Sequence, residues 1–91
     1  MITTNDCIAL CGLSEEEVLA IAEHEHIPEI AAAALGDYLL HQEHGVARIR
    51  DMLRDDIRAA VERGDRDHAR ALFMALRHFL SEHPEAASDS V

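Results

Sequence analysis

Two short stretches place imidazoles beside carboxylates: Glu23-His24-Glu25-His26 and His41-Gln42-Glu43-His44. Neutral imidazole is a ligand for zinc and iron, and carboxylate suits harder cations, so a mixed set of this kind is a candidate iron or zinc site. Helical geometry sorts the residues. At about 100° per residue, Val18, Leu19, Ile21 and Ala22 define an apolar face on which Glu25 and His26 fall, with Glu23 and His24 pointing away. Further on, Ile30, Ala34, Asp37, His41 and His44 follow one stripe of steps of four and three residues. The candidate metal ligands are therefore Glu25, His26, Asp37, His41 and His44. About 21 Å of helix separates Ile27 from His41, so ligands from both stretches meet only through another helix or a second chain. The competing reading is that these residues cap and terminate helices. Glu23-x-x-His26 has the spacing that di-iron bundle proteins use twice, but no second copy follows it.

Other chemistries have less to build on. Cys7 and Cys11 lie four apart without the second ligand pair of a zinc finger, and read as small buried apolar residues. Ser14 has the position of a helix cap, while Ser81, Ser88 and Ser90 lie towards the C-terminus, so no Ser–His–Asp set is indicated. There is no glycine-rich phosphate loop. Catalysis is not expected.

The elements that must position these side chains are helices. Hydrophobic residues make up 48% of the 91; Tyr38, Phe73 and Phe79 are the aromatic ones, and Ala and Leu outnumber the β-branched types, which favours helix packing over sheets. Ser14-Glu15-Glu16-Glu17 reads as a capping box that opens a helix running to about His26. Pro28 opens the next, to about His41–Glu43, with Gly45 as the residue past its end. A third runs from about Val46 to Arg63, ends at Gly64, and is followed by one from the Asp65 cap to about Glu82. A short helical turn from Asn5 or Asp6 to Cys11 precedes them. The predicted fold is all-α, a compact bundle of four main helices plus that N-terminal turn, in a single domain over 1–84 with a flexible tail over 85–91.

The last two main helices are amphipathic, with Val46, Ile49, Leu53, Ile57, Ala60 and Val61 on one and Ala69, Leu72, Phe73, Leu76, Phe79 and Leu80 on the other. His78 falls on the solvated side of the last. The segment Ile30–Leu40 is apolar around nearly its whole circumference, so it is either the central helix or shares a face with a second copy. A homodimer is expected, with Leu35, Leu39 and Leu40 as its interface.

Net charge is −10, from 18 acidic residues against eight Arg and no Lys. That field opposes binding to a nucleic-acid backbone or an anionic membrane and favours a basic partner or a cation. No run of about 18 apolar residues is present to span a membrane, and the first six residues lack the basic region of a signal peptide, so a cytoplasmic protein is expected. The composition and helix pattern point to a non-catalytic acidic helical protein that self-associates or binds another protein, with the metal-binding bundle as the alternative.

Overall fold

The computed structural model describes residues 12–88, and the expected turn at 5–11, with Cys7 and Cys11, lies outside them. All regular structure among the described residues is helical: α1 Glu15–Glu25, α2 Glu29–Leu40, α3 Gly45–Glu62, α4 Arg66–Glu82 and the short α5 Pro84–Ser88. No described helix is long and apolar enough to cross a membrane.

Local sequence sets the helix ends. The Ser14 hydroxyl accepts from the Glu17 backbone N–H at 3.2 Å, and the Glu17 carboxylate accepts from the Ser14 N–H at 2.9 Å, which completes the capping box. Between α3 and α4, Gly64 takes φ +76, and Asp65 accepts from the His68 N–H at 3.2 Å. Gly45 acts differently from the expectation. It is the first residue of α3, and a Cβ there would lie 1.6 Å from the Leu39 carbonyl oxygen. Its missing side chain lets α2 and α3 cross at backbone contact. The left-handed turn falls to His44 instead, at φ 65.

α3 and α4 form an antiparallel hairpin, and α1 packs against α2, α3 and α4. Among the described helices α2 touches only α1 and α3, so it lies at the edge of this bundle and not at its centre. Its core face is Ala32, Ala33, Gly36 and Leu39; on the opposite side Ile30 is 52% and Tyr38 59% exposed, with Ala31 and Ala34 between them. The stripe Ile30–Ala34–Asp37–His41 is thus the outer flank of α2. Leu39, at 2% exposure, is a core residue and unavailable as an interface, while Leu35 and Leu40 are half-buried against the core.

The core joins Val18, Ala20 and Ile21 of α1 to Ile49, Met52, Leu53 and Ala60 of α3 and Leu72, Ala75 and Phe79 of α4. Each large side chain buried this way contributes about 1.5–3 kcal/mol. Val61 and Phe73, expected inside, are exposed because the contact stripes of α3 and α4 run through Met52 and Ala75. Two charged residues of α3, Arg50 and Asp56, are buried. Helical structure continues past the end of α4 as α5, Pro84–Ser88. Proline is as suited to the first turn of a helix as to the end of one. α5 packs on α3 and α4, Ala86 is fully buried, and Arg50 donates to the Ala86 carbonyl at 2.5 Å.

Candidate functional site: a trough between α1 and α4

α1 and α4 each present a stripe at i, i+3, i+4 and i+7 to the space between them: Glu16, Leu19, Ala20 and Glu23 on one wall, His68, Ala71, Leu72 and Ala75 on the other. Because Ala20, Ala71 and Ala75 are small, the helices leave an open trough of about 350 Å³. It continues past Met74 towards Ser14 and His78.

Carboxylate–imidazole pairs tie the two helices together at each end. Glu23 Oε1 lies 2.5 Å from His68 Nε2, and Glu17 Oε2 lies 2.8 Å from His78 Nδ1. His68 and His78 are ten residues apart on α4, so about 15 Å separates the clasps along that helix. Glu17 is 2% exposed, and its two oxygens are divided between the Ser14 N–H and His78. Hydrogen bonding to Glu17, followed by the negative charge on it, raises the His78 pKa above 6.5, and Glu82 and Glu16 add to the effect against a small opposing burial.

A second network lies between α1 and α3. His24 meets Glu25 through Nδ1 at 2.7 Å and Asp55 through Nε2 at 3.3 Å. Burial lowers the His24 pKa, but those two hydrogen bonds and the charges of Asp56 and Glu25 outweigh it, and the net shift is upward. Two carboxylate acceptors require both ring nitrogens to carry a proton, which favours the imidazolium. Next to it Asp56 is 6% exposed, and its Oδ2 has no hydrogen-bond partner among the described residues. Burial pushes the Asp56 carboxyl up to about 6, with the charges of Glu23 and Asp55 adding and His24 and His68 opposing.

The five candidate metal ligands fall in three places. Glu25 pairs with the neighbouring His24 at the end of α1, and His26 is an exposed left-handed cap at φ 57. The Asp37 carboxylate lies 3.7 Å from exposed His41, whose Nδ1 donates to the Asp37 carbonyl at 2.8 Å. His44 lies 3.5 Å from Glu43 in the turn before α3. No group of three or more His, Cys, Asp or Glu among the described residues is disposed to share a metal ion. The inward assignment of Glu25 and His26 reverses, because α1 leaves helical geometry at His26 and its inner stripe is instead Glu17, Ile21 and His24. His78, expected in solvent, is half-exposed yet bound to a buried partner.

Sequence reasoning missed the trough. Its two stripes share the same spacing, but nothing local indicates that they face each other. Among hydroxyls, Ser14 accepts from the Glu17 N–H and Ser81 donates to the His78 carbonyl, and neither is hydrogen-bonded to an imidazole nitrogen. Comparison of the chain with protein-family models, curated proteins and solved structures finds no match to any of them.

Proposed function

We propose that the protein is a non-catalytic interaction module that self-associates through the outer flank of α2. The observation that carries this reading is the uncovered stripe Ile30–Ala34–Tyr38 on a helix whose only charges are Glu29 and Asp37. In a chain of net charge −10, two copies repel through most of their surface, and on α2 the charge opposed is limited to Glu29 and Asp37. Ala31 and Ala34 allow helix backbones to come close, and Tyr38 supplies an aromatic anchor of the kind enriched at interfaces. A two-fold pairing of α2 with its copy would be isologous, with the same stripe on both sides.

Sedimentation equilibrium over a wide concentration range tests it. Dimerisation that Tyr38→Asp abolishes, with the thermal melt preserved, is the expected result. A wild-type chain that stays strictly monomeric at millimolar concentration removes the self-association reading.

A further inference from the structure

We infer that α1 is a pH-operated strap, held on the α3–α4 hairpin in mild acid and released from it as the pH rises through neutrality. This device is independent of self-association through α2, because none of the ionisable groups of α2, Glu29, Asp37 and Tyr38, ties α1 to the hairpin.

The ties are of one chemical type. Among the described residues, three side-chain contacts join α1 to the hairpin: His24 to Asp55 of α3 at 3.3 Å, Glu23 to His68 of α4 at 2.5 Å and Glu17 to His78 of α4 at 2.8 Å. Each pairs a carboxylate with an imidazole. The tie of α5 is built differently: Arg50, whose charge is permanent, donates to the Ala86 carbonyl. Imidazole is the side chain that changes charge between about pH 5 and 8, so the ties of α1 titrate in that range and that of α5 does not.

Burial adds a fourth group at the same junction. Asp56 is 6% exposed, and its Oδ2 has no hydrogen-bond partner among the described residues. It faces Glu23 and His24 of α1, Asp55 beside it and His68 of α4. In acid the set balances: Asp56 is neutral, and two imidazolium charges stand against Glu23 and Asp55. As the pH rises Asp56 ionises, its carboxyl being pushed up to about 6 by burial, and the imidazoles discharge. Glu23, Asp55 and Asp56 then stand together as carboxylates. His24, set between Glu25 and Asp55, is left with one proton for two acceptors and turns a lone pair towards one of them. Arg48 and Asp51 also border His24, and their opposite charges offset each other there. At the other end His78 keeps a single proton between Glu17 and Glu82, with Glu16 nearby. Every one of these changes loosens α1 in the same direction of pH.

The rest of the fold can stay together when α1 leaves. α3 and α4 are joined by the short turn at Gly64 and Asp65, and α5 packs on both. α2 has its own backbone crossing with α3 at Gly45. Release takes Val18, Ala20 and Ile21 out of the core and uncovers the apolar side of the hairpin.

Native-state amide hydrogen exchange of the full chain, followed by NMR and corrected for intrinsic rates, tests the strap. Between pH 5.5 and 8 the protection of the Ala20, Ile21 and Ala22 amides should fall by about tenfold or more beyond any fall at residues 49–53 of α3. His24→Gln combined with Asp56→Asn places groups there that hydrogen-bond but do not titrate, and should cut that excess to about threefold or less. His78→Gln, at a half-exposed side chain, should reduce it in part, and carries the test alone should the double variant not fold. Tyr38→Asp should leave the excess as in the wild type, whether or not it alters self-association, so a failure of the α2 reading leaves this result distinct. Three outcomes overturn the inference: constant protection of α1 across the pH range, parallel loss of protection in α1 and α3, or an undiminished excess in the folded variants at His24, Asp56 and His78.

Discussion

Glu17 and His78, 61 residues apart in the chain, are joined by a 2.8 Å hydrogen bond that turns a helix cap into a tertiary clasp. Glu17 first serves its own helix by accepting the Ser14 N–H. Its second oxygen is then held at the surface of α4, where the imidazole covers it. The same carboxylate therefore stabilises the start of α1 and fixes how α1 lies on α4.

Two substitutions separate those roles. Glu17→Gln retains an acceptor for Ser14 but removes the charge, and the His78 pKa should fall towards 6.5 in an NMR titration. Glu17→Ala removes both the cap and the clasp and should cost about 1–2 kcal/mol in denaturant unfolding, since the Ser14 N–H loses its capping acceptor and the tertiary hydrogen bond to α4 is lost.

Stability should rise as pH falls from 8 to 5. The folded pKa of Asp56, about 6, is above its ordinary value of 3.8, so protonation favours the native state. That contribution is complete below about pH 4 and is lost as pH climbs through 6. The upward shifts of His24 and His78 act in the same direction, present below 6.5 and lost as pH passes their folded values. Asp56→Asn should flatten the pH dependence of the melting temperature between 4 and 7 and stabilise the protein at pH 8 by on the order of 1–2 kcal/mol. A pH profile unchanged by that substitution would show that Asp56 is not the responsible group.

His26→Gly should stabilise the protein by about 0.5–1 kcal/mol, because the residue sits at φ 57, where a β-carbon is strained and glycine is not. The same variant addresses the metal reading. If His26 is a ligand, zinc or iron uptake measured by elemental analysis drops; if it is only a cap, the melt rises and uptake does not change.

Gly45→Ala should be among the most damaging small substitutions. The added methyl meets the Leu39 carbonyl at 1.6 Å, and backbone cannot step aside as a side chain can. A loss of about 3 kcal/mol or more is expected from displacement of α2 on α3, read by chemical denaturation. An exposed control, Gly64→Ala, has open space around it and should cost only the strain of its φ of +76, about 1 kcal/mol.

Ser14, Glu17, Gly64 and Asp65 were legible in the sequence because each acts on backbone groups within a few residues, where spacing alone defines geometry. The amphipathic stripes of α3 and α4 were legible for the same reason: one helical period predicts which residues share a face. With those signals the all-α bundle, its four main helices and the α3–α4 hairpin follow from the chain itself. The tertiary structure decided what periodicity leaves open. On α2, where apolar residues surround the helix, only packing against α1 and α3 could choose Leu39 for the core and leave Tyr38 outside. The facing of Glu16–Glu23 with His68–Ala75, the clasps at Glu17 and Glu23, and the burial of Asp56 depend on how α1 crosses α3 and α4. Those crossings are set by side-chain volume and close backbone approach between residues distant in the chain, which no local pattern encodes.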